Sequence, residues 1–383
     1  MPRYKFSDIA FNINEKRMPT PEDMATYIAP NNLETSTLSV PEFGYKVPLN
    51  GLKLVMHKGD VLFGRREPQL KHAAIAPHDG VFSAHGMIFH ANEEVMDKDF
   101  FPFFISSDCF FDTAIKISVG SLSPTVNWKD LKDIEFTVPD KADQARYAAV
   151  LWAIIRAKRA YKELIRQTDE LVKSQFIEMF GDPIENSKEL PVSPLSEHLD
   201  LIGGFAFKST GFKKEGIPVL RIGNINAGYF RGDDLPFWDY DPALDRYMLY
   251  PGDLVISLTG TVGKDDYGNV CRLGSDYPRY YLNQRNAKIE LHDTVVAEYI
   301  TALLKDRKVK DLIAKAGVGV RQANISNKSI LDLVAPVPNI ADQQHFADIV
   351  RQSDKSKFEL KKSLESLDTM QKALVADMFQ CHM

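Results

Sequence analysis

Cysteine is scarce in this 383-residue sequence: Cys109, Cys271 and Cys381 lie far apart, with no CxxC pair and no histidine at ligand spacing. That excludes a zinc ribbon or a disulfide scaffold, and all three are read as reduced thiols. Long apolar runs are missing too, and the start "MPRYKFSDIA" lacks the basic and apolar parts of a secretory leader. The expected location is therefore the cytoplasm. Nor is there an excess of positive charge, since 47 Lys and Arg stand against 52 Asp and Glu, for a net charge of -5. Proteins that hold nucleic acid by bulk electrostatics alone are usually basic. A nucleic-acid partner would require a positive face assembled locally, or charge supplied by another subunit.

Catalytic signatures are equally thin. The stretch "TGTVGK", Thr259 to Lys264, resembles a phosphate loop, but Leu258 stands where that motif needs glycine and Asp265 where it needs Ser or Thr. A glycine-rich turn after the strand "DLVISL" accounts for it. No GxGxxG opens a helix, and HExxH and GxSxG are absent. So is the Asn or Asp, Pro, Pro, aromatic run that amino-methyltransferases place around a target base. His72, His78, His85 and His90 fall in a turn-rich stretch without a common strand or helix face. The expectation is a chain with no catalytic residues and no metal ligands.

What the sequence does contain is a repeat. The run "DQARYAAVLWAIIRAKRAYKELIRQTDELVKSQFIEMF" has neither Gly nor Pro, and "GDP" then supplies Gly181 as a cap and Pro183 as a stop. Apolar residues recur at heptad spacing through Tyr147, Ile154 and Tyr161 and through Leu151, Ile165 and Val172, interrupted at Lys158 and Thr168. The last segment repeats this pattern with Phe346, Leu360, Leu367 and Leu374 on one line and Val350 and Leu364 on the next. A shift of 199 residues carries Asp143 and Gln144 onto Asp342 and Gln343, and Met179 and Phe180 onto Met378 and Phe379. Upstream, "KGDVLFG" at Lys58 matches "PGDLVIS" at Pro251, and "YIAPNNLE" at Tyr27 matches "VLRIGNIN" at Val219. The chain therefore reads as a duplication.

The fold class that follows is α+β, two pseudo-repeated mixed domains separated by a two-helix antiparallel coiled coil. The boundaries are 1–140, a helix over 141–181, 182–339, and a second helix over 340–383. A helix of about 38 residues is roughly 57 Å long, too long to bury its stripe on one small domain, so each seam is expected to cover the other. Antiparallel pairing would set the domains at opposite ends of a rod.

Duplicated domains each trailed by a heptad helix, with "SQFIEMFGDP" closing the first and "VADMF" near the end of the second, resemble the specificity subunit of type I restriction-modification systems. "GGFAFKSTGFKKEGIPVLRIGNIN", Gly203 to Asn226, resembles the opening of a target recognition domain, and "GDVLFGRREPQLKHAAIAPHDGVFSAH" resembles the interior of another. The resemblance implies a non-catalytic subunit whose two domains each read one half of a split, asymmetric DNA site while the helices fix the gap. It implies two methylation subunits using S-adenosylmethionine on adenine N6, and restriction subunits using ATP and Mg. None of these cofactors would be bound by this chain.

Base reading calls for Arg, Lys, Asn, Gln and Ser on loops and strand ends. In the first domain the candidates are Arg65, Arg66, Gln69, Lys71, His72, Ser83, His85 and Ser121. In the second they are Lys208, Ser209, Arg221, Asn224, Lys264, Arg279, Tyr281, Asn283, Gln284, Arg285, Arg321 and Gln322. Against this stands the plainer reading that an Arg in a turn is solvated surface and Tyr281 is strand core. Three alternatives remain: a specificity subunit whose partner fuses nuclease and methyltransferase, a free-standing DNA-binding or scaffold protein dimerised through its helices, and an enzyme with an unrecognised site.

Overall fold

A computed structural model describes residues 1–46, 48–261, 266–314 and 322–379. The chain divides into two compact units, Met1–Ile165 with Phe358–Met383, and Arg166–Lys357. Each of the two long helices, Lys141–Phe180 and Ile340–Phe379, contributes one part to each unit. The first stops at Gly181, whose φ of +75° is open to glycine and whose amide donates to the Ile177 carbonyl at 2.8 Å. A β-carbon there would lie 2.6 Å from Ser187 Oγ, so both conformation and space demand glycine.

The first unit is built on an antiparallel sheet in the order Ala10–Ile13, Gly86–Ala91, Val61–Gly64, Ala73–Ile75. Its core is largely phenylalanine. Phe6 meets Phe89 edge-on at 5.3 Å, Phe104 meets Phe136 at 5.1 Å, and the helix residues Leu151, Ile155 and Met378 join the same cluster. Edge-on aromatic pairs add about 1 kcal/mol each beyond the area they bury.

The second unit has an antiparallel sheet of the same arrangement, Leu199–Gly203, Asn286–Leu291, Leu254–Ser257, Val270–Arg272. A further sheet pairs Ile217–Leu220 in parallel with Tyr280–Leu282. In the first unit the corresponding contact is a single parallel bridge from Ile28 to Phe82. Phe176, Phe180 and Phe346 of the long helices close around Tyr299.

Identical polar devices seat both helices. The Gln144 amide donates to the carbonyls of Val95 (3.1 Å) and Pro139 (2.8 Å) and accepts from the Asp97 amide (2.6 Å). Gln343, 199 residues on, donates to Thr294 and Pro338 and accepts from Val296. Both glutamines are fully buried, so each bond replaces water that the packed junction excludes.

All twelve expected seam residues, Tyr147, Leu151, Ile154, Tyr161, Ile165, Val172, Phe346, Val350, Leu360, Leu364, Leu367 and Leu374, are buried or half-buried. Lys158, which looks like an interruption in sequence, is instead part of the seam. It is 1% exposed, pairs with Asp368, and donates to Gln371 (2.8 Å) and the Ser36 carbonyl (2.5 Å). In the second unit Lys357 meets Asp169 at 2.8 Å. These two pairs are again 199 residues apart, and within each unit the helices run antiparallel.

The expectation of reduced thiols holds at Cys271, buried and free, where burial pushes the thiol pKa up to about 12. It fails at Cys109, which is disulfide-bonded. Cys381 lies outside the described residues. Among those residues no helix is long and apolar enough to cross a membrane.

Candidate nucleic-acid interface

In the first unit, strand Val61–Gly64 is wholly buried and delivers Arg65 and Arg66 at its end. Alternation along an extended chain sends successive side chains to opposite sides. Arg65 points inward and donates to Asn127 Oδ1 at 2.7 Å, where desolvation lowers its pKa. Arg66 is exposed, and its guanidinium makes no hydrogen bond or ion pair with the described residues. A groove of about 450 Å³ collects Arg66, His72, Ser83 and His85 from the sequence candidates. Tyr27, Asn31, Tyr45, Asn50 and Lys53 line it as well, and none of these was singled out from sequence.

The other candidates of this domain divide by what already holds them. Lys71 is paired with Asp108, whereas Gln69 and Ser121 are exposed. Ser83 is 4% exposed, and its hydroxyl accepts from the His85 amide at 3.2 Å. Ser83 thus shapes the loop that presents His85 from the groove wall.

In the second unit, a cavity of about 410 Å³ is lined by Arg221, Gly223, Asn224, Arg231, Asp233 and Asp234. Arg221 donates to the Asp234 carboxylate at 3.2 Å and to its carbonyl. Asn224 is buried, accepts from the Arg221 amide at 3.0 Å, and donates to the carbonyls of Arg231 (3.1 Å) and Asp233 (2.9 Å). With both amide protons and one acceptance of its oxygen engaged, Asn224 is a loop clamp rather than the expected base reader. Tyr281 is likewise corrected, being fully buried on the central strand of its sheet with its hydroxyl accepting from the Asp241 amide at 3.0 Å. The plainer reading of Tyr281 as strand core was the right one.

Of the cations expected from sequence in this domain, those that are exposed among the described residues are Lys208, beside exposed Ser209, and Arg279 and Arg285, beside exposed Gln284. Arg279 lies 5.0 Å above the Tyr240 ring, a cation–π contact that holds the guanidinium plane while leaving its edge open. The Tyr240 hydroxyl pKa is raised, by desolvation and then by its bond to Asp245. Asn283 is half-buried and turned back onto the Gln284 amide. Lys264 and Arg321 lie outside the described residues; the Gln322 backbone pairs with Thr261 in a short antiparallel ladder. Among the described residues no group of three His, Cys, Asp or Glu side chains is placed to hold a metal ion.

Comparison with known proteins bears on this arrangement. Residues 188–367 match the family described as Type I restriction modification DNA specificity domain. This part of the chain is similar to a type I specificity domain. Over 251 residues it is 22% identical to the type I restriction enzyme MjaVIII specificity subunit of Methanocaldococcus jannaschii, covering 61% of this chain and 59% of that relative. The chain thus spans less than two thirds of the relative's length. Two solved structures share the fold over nearly the whole chain. A chain from a study of complex assembly in the type I restriction-modification system superposes with a TM-score of 0.55 at 18% identity, covering 100% of this chain and 98% of that one. The specificity subunit from M. genitalium gives 0.55 at 16%, with 99% and 96% covered. The specificity-domain match contains the clamped turn, the Arg279 strand and the Gln343 junction. The Arg66 groove lies outside it.

Proposed function

We propose that the chain is the DNA-recognition subunit of a type I restriction-modification complex. Each domain reads one half of a bipartite asymmetric site, and the two helices fix the unread gap between the halves. Arg66 with His72 and His85 would carry the first contact surface, and Lys208, Arg279, Gln284 and Arg285 the second. Arg66 shares its groove with Tyr27 and Tyr45, Arg279 lies over the Tyr240 ring, and neither pairs with an acid among the described residues, a composition that suits phosphate contacts flanking base edges. The catalytic steps belong to partners in this reading. Two methylation subunits dock on the helices and use S-adenosylmethionine to methylate adenine N6, and restriction subunits use ATP and Mg. The target base must leave the stack to be methylated, and the pocket that receives it is theirs. The complex would work in the cytoplasm.

One observation carries the proposal: a chain similar in part to a type I specificity domain repeats the same helix seating and sheet order in two units whose exposed residues differ. Two readers of different half-sites on one frame would look like this. Methylome sequencing tests it, using cells that express this chain with the neighbouring methyltransferase gene beside cells that lack this chain. A split motif with N6-methyladenine in both halves, present only with the chain, is the expected outcome. No new methylation, with both proteins soluble and associated, would sink the reading in favour of a scaffold.

A further inference from the structure

A short 3-10 turn borders the cavity of each domain, Pro30–Asn32 in the first and Ile222–Asn224 in the second. Both are closed in the same way. The Ala29 amide donates to Asn32 Oδ1 at 2.8 Å, and the Arg221 amide donates to Asn224 Oδ1 at 3.0 Å. The clamping asparagines correspond in the alignment of "YIAPNNLE" with "VLRIGNIN", so the turn is part of the shared frame. Its middle residue is not shared. In the first domain it is Asn31, exposed and with a side-chain amide that bonds to none of the described residues. In the second it is Gly223, which has no side chain, and there the Arg231 guanidinium donates to the Gly223 carbonyl.

We propose that the tip of this turn is a base-reading position, filled by Asn31 in the first domain and by Arg231, laid across Gly223, in the second. The inference rests on the DNA-reading function proposed above and names residues that reading did not contain. A free carboxamide can bond adenine through two atoms at once, and a guanidinium can do the same to guanine. Either needs a backbone that does not yield when the base edge arrives, and the asparagine clamp supplies one. The two tips present different donor and acceptor sets on the same mount, which two unlike half-sites require.

The test is the methylome of two variants of the full chain, each expressed with its methyltransferase partner. Asn31→Ala removes an exposed amide. Gly223→Asn adds a side chain where a β-carbon meets nothing within 4 Å, so neither change disturbs packing. Asn31→Ala is expected to relax one position in one half of the motif, with discrimination there falling on the order of 10- to 100-fold. Gly223→Asn is expected to alter one position in the other half only. The inference is overturned if both variants keep the wild-type motif, or if methylation falls evenly at every site, as loss of a phosphate contact would produce. A wild-type chain that directs no split motif would fail the function itself, a result separate from a wild-type motif that the variants leave unchanged.

Discussion

Gln144 and Gln343 hold the same three backbone groups at the two helix junctions, whereas Asn31 and Gly223 share a backbone turn and nothing else. The first pair is buried, and every alternative would strand polar groups away from water. The second pair faces outward, where a change of side chain costs the fold little. The two units therefore agree where the interior dictates the residue and differ where a ligand could. The lysine pairs mark a middle case, because Lys158 is buried and its counterpart Lys357 retains 21% side-chain exposure.

Two substitution pairs and one single change sharpen that contrast, all read by hydrogen exchange on the intact chain, which reports each unit separately. The largest effect is expected at the glutamines. Gln144→Leu and Gln343→Leu each leave one amide and two carbonyls unpaired in a dry junction, costing about 3 to 5 kcal/mol in their own unit. Equal losses would show a common frame, and a cheap Gln343→Leu beside a costly Gln144→Leu would break it. Next come the ion pairs. Asp368→Asn leaves the enclosed Lys158 ammonium without its counter-charge and should cost about 3 kcal/mol. Asp169→Asn, opposite the more exposed Lys357, should cost less than about 1 kcal/mol.

A further effect depends on acidity. The Arg17 guanidinium bonds both oxygens of the buried Asp23 carboxylate, at 2.5 and 2.8 Å, and draws its pKa down to about 2. A carboxyl whose folded pKa is depressed stabilises the fold fully above its unfolded value and ceases to do so as pH falls through the folded one. Asp23 should therefore account for a loss of up to about 2 kcal/mol between pH 4 and 2 in the first unit, and Asp23→Asn should remove that share of the slope. The residues 192 places on are Ser209 and Glu215, both exposed, so the second unit has no counterpart of this pair, and its own acid slope should come instead from Asp182, which the Lys308 ammonium draws down to about 2.

Legibility followed the same division between interior and surface. Two 40-residue helices could be read from runs free of Gly and Pro and from their heptads, because helix periodicity is local. Gly181 could be read as a cap for the same reason. Lys158 could not be read as a seam residue, since its partners Asp368 and Ser36 are far off in sequence and only packing supplies them. Among candidate contacts, residue type alone could not separate Arg65 from Arg66, which differ only in the side of the strand they face. Asn224 and Tyr281 misled for a related reason: a polar group that serves the fold carries the same letter as one that serves a ligand. Asn31 left a trace in the aligned "PNN" and "IGN", where an invariant clamp adjoins a varying neighbour.

The helix junctions also bear on how such a chain can change over generations. Lys158, Asp169, Lys357 and Asp368 all lie on the two helices, so replacing 182–339 wholesale would leave the residues that pair them untouched. An incoming segment needs, among its other contacts, an aromatic ring where Tyr299 stands among Phe176, Phe180 and Phe346, and two carbonyls and an amide within reach of Gln343. Under the DNA-reading function proposed above, recombination would supply a new half-site in one event, while a new gap length would have to be negotiated by both helices together.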